Sequence, residues 1–319
     1  MSGLARTTPG PRRTHRRVVT AGLLVAAGAL ALCAGCDHGA ADAARAHIRT
    51  EHVPRLLALV RAFIPQSEHA LEQVAVQIEP GFAVTDPAAK EAQMRDALRA
   101  LGRPPRGIPA LMTSPKTFVA AVGADGVVIA RDRTPDAMHG QNFAERFTVV
   151  ARALARGVTG HQLVEFGAAD AAALPPAAST PAADTTDDAT SPSVSLLFAA
   201  PVRRDAEIVG AAVMGVPLWR LAQRLSRQVR AEHVEAITKK GLALWVYLYR
   251  GDRVFRWGTP PELDAALPDA DTRAAGLAKS PGGFTGALHL LGRPWGYGVV
   301  PLPILGPGVG MIVLRAEPM

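Results

Sequence analysis

"TFVAAVGADGVVIARD", residues 117–132, holds two short runs of apolar and β-branched residues around Gly123-Ala124-Asp125-Gly126. Such runs joined by a Gly/Asp turn read as a β-hairpin, because glycine and aspartate tolerate the backbone angles that tight turns require. The neighbouring stretches extend it. "NFAERFTVVARALARG" (142–157) has helical periodicity and stops at Gly157, and "HQLVEF" (161–166) reads as a third strand. "VSLLFAAPVRRDAEIVGAAVMGV" (194–216) is strand, turn, strand, and it leads into a helix from Leu218 to about Arg230. The first half is therefore two strands, a helical excursion, then three strands.

The second half repeats that order. "LALWVYLY" and "RVFRWG" flank Gly251-Asp252 as a second hairpin, and "PPELDAALPDADTRAAGLAK" (260–279) is helical or irregular. "GFTGALHLLGRPWGYGVVPL" (283–302) is a third hairpin, and "VGMIVLRAE" (309–317) is a closing strand. Ahead of both halves, residues 41–79 carry Val53, Leu56, Leu57, Val60, Phe63, Ile64, Leu71, Val74 and Ile78 at helical spacing. Pro65 lacks an N–H, so the expectation is two helical segments with a kink or break there. A shorter helix follows from Thr85 to Gly102. Residues 168–193 contain a single large apolar side chain, Leu174, and cannot bury enough surface to offset ordering; they are expected to be a disordered insertion. The fold class is α+β: a long N-terminal helix, then two five-stranded antiparallel sheets.

On "VGADGVVIARDRTPDAMHGQNFAERF" (122–147) and "APVRRDAEIVGAAVMGV" (200–216), the chain resembles the Cache family of extracytoplasmic, PAS-like sensor domains. The shared features are the Asp-Gly hairpin, the loop glycine Gly140, Ala200-Pro201 and Val209-Gly210. The resemblance implies a PAS-like sheet in each half, a small-ligand pocket on the first, and a helix leading away from a membrane. The aromatic-Arg-Trp-Tyr motif of amino-acid-binding relatives is absent, so amino-acid binding is not implied.

The N-terminus has its own logic. Arg6, Arg12, Arg13, Arg16 and Arg17 precede an apolar run, Val18 to Leu32, which ends in Cys33-Ala34-Gly35-Cys36. A basic leader, a short apolar core and small residues compose a bacterial export signal. This segment resembles a lipoprotein signal, implying cleavage before Cys36 and lipid (palmitate-type) modification of Cys36. The expected divisions are 1–36 as signal and anchor, 37–230 as helical stalk plus Cache-like domain, and 231–319 as a smaller PAS-like domain. The expected location is extracytoplasmic, lipid-anchored on the periplasmic side, at either the inner or the outer membrane.

Charge supports this division. The chain carries 35 basic and 28 acidic residues, net +7. Five of the basic residues and none of the acidic ones precede Cys36, so 30 against 28 leaves +2 on the rest. A nucleic-acid partner is excluded on that balance. The expected partners are the membrane through the lipid, a small-molecule ligand with carboxylates among the candidates, and a signalling or envelope protein.

No nucleophile elbow, metalloprotease helix or phosphate loop occurs, so no catalytic residue, cofactor or metal is assigned and the chain reads as a non-enzyme. His47 and His52 stand five apart, off a common α-helical face, and read as solvated; Asp184, Asp187 and Asp188 lie in low-complexity sequence. The candidate ligand residues follow the first hairpin. Arg131 and Arg133 would alternate onto one side of the strand end, where they either grip a carboxylate or end a charged strand in solvent. His139 would cap such a pocket, and Phe118, Phe166 and Phe198 either line it or pack the core. Trp245, Tyr247 and Tyr249 alternate onto one face of the second sheet, with Trp257, Trp295 and Tyr297 adding to the aromatic content there.

Overall fold

The computed structural model describes residues 39–134, 136–167, 193–256 and 258–318. The signal and Cys36, the 168–192 segment with its aspartates, and Trp257 lie outside the described residues. Helix runs from residue 39, passes through a π turn at Ile48–His52, and continues as α1 (Val53–Ile78). Helix α2 (Pro87–Leu101) is capped by Asp86, whose carboxylate accepts from Ala89 N at 2.8 Å. A short α3 (Pro109–Thr113) precedes β1 (Phe118–Gly123) and β2 (Val128–Arg131). Helices α4 (Phe143–Arg146) and α5 (Thr148–Arg156) then lead to β3 (Gly160–Phe166), β4 (Ser193–Arg204) and β5 (Glu207–Pro217). The second half follows α6 (Leu218–Glu232) and α7 (Val234–Lys240): β6 (Ala243–Arg250), β7 (Arg253–Phe255), α8 (Pro261–Ala265), α9 (Ala270–Lys279), β8 (Phe284–Leu290), β9 (Arg293–Pro301) and β10 (Val309–Ala316).

The two sheets are antiparallel throughout and share one topology. The first has the order β2-β1-β5-β4-β3, the second β7-β6-β10-β9-β8. The repeat read from element order is thus a repeat of strand order as well.

Pro65 does not break the helix. Its side chain is exposed, while Phe63 and Ile64 beside it are buried, so the proline lies on the water side of the helix, where a missing backbone hydrogen bond costs least. The interruption falls earlier, at the π turn. One face of the first sheet, with Val119, Leu196, Phe198 and Met214, packs on α1 through Leu56, Val60 and Phe63. The same apolar core continues through Leu221 and Leu225 of α6 to Leu244, Val246 and Met311 of the second sheet. At full burial each of these side chains contributes roughly 1.5–3 kcal/mol. The N-terminal helix sits directly on β9. A Cβ at Gly296 would come within 2.8 Å of Arg45 N, and one at Gly298 within 2.6 Å of Ile48 Cγ2. Only glycine permits that approach.

His52 is buried, not solvated, because the π turn brings it round to the face that carries His47. The two histidines end a chain of polar contacts on β10. His47 Nδ1 lies 2.9 Å from Glu317 Oε1, which accepts from Arg315 Nε at 2.7 Å; Arg315 Nη1 lies 2.6 Å from His52 Nε2. His233, at the α6–α7 junction, stacks edge-on to His52 at 5.0 Å and reaches Glu51 at 3.2 Å.

Candidate functional site

The second face of the first sheet is where the sequence placed a ligand. Phe118 and Phe166 both lie on it, fully buried, with ring centroids 5.9 Å apart. Phe147 meets Phe166 at 5.4 Å and Phe143 meets Phe147 at 5.1 Å, all edge-to-face. Helices α4 and α5 thus roof the sheet with aromatic rings, over a floor kept shallow by Ala120, Ala199 and Ala211. Phe198 does not join them. It pairs with Met214 and packs on the α1 side against Phe63, 6.0 Å away.

Arg131 and Arg133 do not share a side. β2 ends at Arg131, and its register opposite Ala120 puts Arg131 on the aromatic face. There it is 4% exposed, with Nε 3.5 Å from Asp136 Oδ1 and its backbone N–H donating to Asp136 Oδ2 at 2.9 Å. Burial pulls the guanidinium down from its ordinary value, with Asp136 and Asp132 opposing. Asp136 Oδ1 also accepts from Met138 N at 3.1 Å and His139 N at 3.2 Å, pinning the loop over the sheet with Met138 buried beneath it. A carboxylate does sit on Arg131, but the chain supplies it. Asp136 was missed in the sequence, although an aspartate that opens a turn by accepting N–H groups two and three residues on is a recognisable local signal.

His139 is half exposed. Its Nδ1 lies 2.8 Å from the Ile129 carbonyl on the edge strand and 4.0 Å from Glu91 Oε2 of α2. It closes the sheet's outer edge rather than the aromatic pocket.

Past the strand end, the chain turns Arg133 into a different chamber of about 530 Å³, between α2 and the segments entering β1 and leaving β2. Arg99, Arg103, Lys116, Asp132, Arg133 and Thr134 line it. Their positions, 99 to 134, give no sequence signal, because only packing brings them together.

In the second sheet Tyr247, Tyr249 and Trp295 are buried on one face with Trp245 and Tyr297 beside them, as the alternation predicts. Arg273 stacks over Tyr249 at 4.7 Å and donates to the Pro268 and Gly251 carbonyls at 2.6 Å each. Metal-type ligand atoms of Glu51, His52 and His233 lie within 4.8 Å of one another. The contact from Arg315 uses the His52 Nε2 lone pair and sets a positive charge beside any cation there.

No family model matches the chain, and no curated protein matches it. Among solved structures it is similar to the extracellular domain of a putative histidine kinase, vpHK1S-Z8. The TM-score is 0.51 at 9% identity, covering 89% of this chain and 93% of that one. The sensor domain of the V. cholerae histidine kinase DctB aligns with a TM-score of 0.46 at 14% identity, over 85% of this chain and 96% of that one. The ligand-binding domain of the Campylobacter jejuni chemoreceptor Tlp3, crystallised with L-valine, gives 0.46 at 10% identity, over 84% and 90%. With its paired sheets and long leading helix, the chain has the Cache/PAS-like fold. Among the described residues no helix is long and apolar enough to cross a membrane.

Proposed function

We propose that this chain is a sensor-type lipoprotein. A body outside the cytoplasm, held to a bacterial membrane by lipid on Cys36, binds a small molecule without covalent change and passes the signal to a separate protein. The observation that carries the reading is the shared spine: α1 is packed into the core of the first sheet, and that core continues into the second. A ligand that shifts the first sheet therefore bears on the helix whose N-terminal end leads back to the anchor. Phe118, Phe166 and Arg131 form the ligand side of that sheet, with Asp136 the internal carboxylate that a ligand carboxylate would displace.

A second reading draws on a different observation. The same face is filled by its own aromatic rings, as in a domain that uses the fold as a protein–protein surface in envelope assembly.

A thermal-shift screen of the full chain in non-ionic detergent, with small carboxylates, amines and purines, separates the two. The sensor reading expects at least one compound to raise the melting temperature of wild type and of Arg133→Gln equally. No shift with any class favours assembly. For the anchor, cells fed labelled palmitate are expected to label wild type and not Cys36→Ala, with the variant leaving the membrane fraction; label retained in Cys36→Ala removes the tether.

A further inference from the structure

The chamber beside α2 is separate from the aromatic face, and its charge is unbalanced. Four cationic side chains, Arg99, Arg103, Lys116 and Arg133, line it against one carboxylate, Asp132. Two of the four are fixed as walls. Arg99 donates from Nη2 to Thr134 Oγ1 at 2.9 Å and from Nε to the Asp132 carbonyl at 3.3 Å. Lys116 Nζ donates to the Leu111 carbonyl at 2.7 Å, while Arg220 holds the carbonyl of Lys116 itself at 2.7 Å.

The other two have unused donors. Among the described residues, the guanidiniums of Arg103 and Arg133 make no hydrogen bond or ion pair. Asp132 interacts with Arg133 and Lys116 through its charge but forms no close ion pair with either among the described residues. Its carboxylate is turned to the β1 backbone, accepting from Val119 N at 3.2 Å, and no ion pair to a cation within 4.0 Å is formed among the described residues. Burial pulls the Lys116 ammonium down from its ordinary value; Asp132 opposes this, while Arg133 and Arg220 add to it. The site is short of negative charge.

We infer that this chamber is a second binding site, for a compact oxyanion carrying two charges, of the class of inorganic phosphate or a short dicarboxylate. Forked guanidiniums meet two oxygens of such a group at once, and Lys116 adds a point charge from the floor. Among the described residues Leu98 is the only large apolar side chain in the lining, which disfavours a bulky hydrophobic ligand. The volume suits a small anion together with its bridging waters. Attraction between partly exposed charges is screened by salt, so binding weakens as ionic strength rises.

Calorimetry on the full chain in detergent tests this, with sodium phosphate and sodium succinate as separate probes and sodium chloride at matched ionic strength as the control. At least one probe is expected to bind in low salt. Arg103→Gln/Arg133→Gln is expected to weaken it about tenfold or more, as two charged hydrogen-bonding groups are lost. Asp132→Asn, which keeps an acceptor for Val119 N and removes the opposing charge, is expected to tighten it, and Lys239→Gln on the distant α7 to leave it unchanged. Binding of one probe alone assigns the oxyanion type. No binding of either probe, or equal binding by the double variant, overturns the site. Because the ligand screen above reads a shift that Arg133→Gln leaves intact, either proposal can fail while the other stands.

Discussion

Asp136→Ala is expected to lower the stability of the chain by about 3–5 kcal/mol, the cost of breaking a buried ion pair by deleting one partner. The carboxylate is 4% exposed and the guanidinium 5%. Removing it takes the ion-pair carboxylate away from Arg131 under the aromatic roof and also releases the amide groups of Arg131, Met138 and His139 that it accepts from. Urea titration reads this as a lower midpoint with an unchanged slope. Replacing both partners, as Arg131→Met/Asp136→Leu, is expected to recover the part of the loss that comes from the unbalanced charge, because apolar residues need no counter-charge, and not the part from the three amides, which leucine cannot accept from. A cost for Asp136→Ala below about 1 kcal/mol would show that Arg131 is not held by Asp136.

The second large effect is a dependence on pH. Burial, and after it the charges of Arg315, His233 and His47, push His52 down from 6.5 to about 3, against an opposing pull from Glu317. The folded state thus refuses a proton that the unfolded state accepts. The stability associated with neutral His52 is fully present above pH 6.5, and it falls as the pH drops from 6.5 toward 3. At 1.36 kcal/mol per pKa unit the loss is roughly 3 kcal/mol by pH 4. Glu317 contributes in the same direction lower down: burial pushes its carboxyl up, but hydrogen bonds from Arg315 and His47 bring it below its ordinary value. In His52→Gln the amide oxygen can still accept from Arg315 and does not titrate. Its unfolding free energy is expected to lose about one proton's worth of slope between pH 4 and 6.5. A slope equal to that of wild type would refute the assignment to His52.

The sequence made the sheets legible because their signals are local. Alternation, Gly/Asp turns and helix stops each span fewer than about ten residues, and all ten strands follow from them. The repeated order of elements in the two halves was legible for the same reason, whereas the order of strands within each sheet is a tertiary fact. Pro65 misled because a proline's cost depends on which side of the helix faces water, and that is a tertiary fact. His52 misled because spacing arguments assume 3.6 residues per turn, whereas the wider π turn brings residues five apart onto nearly the same face. At the candidate site, alternation put Arg131 and Arg133 on one side, and this failed because β2 ends at Arg131 and the chain turns before Arg133. Phe198 was not separable from Phe118 and Phe166, since a residue's face depends on the register of its strand against its neighbours. The basic chamber was illegible altogether: Arg99, Lys116 and Arg133 come from a helix, a loop and a strand end.

The apolar core that runs unbroken from one sheet through the helical spine into the other has a mechanical corollary. Among the described residues Leu56, Leu225 and Val246 belong to one buried apolar cluster, so parting the two halves takes shared core into water. Heat or urea acts on such a body as on a single cooperative unit, and a cut near residue 230 strips the spine's lining from both pieces rather than liberating two small proteins.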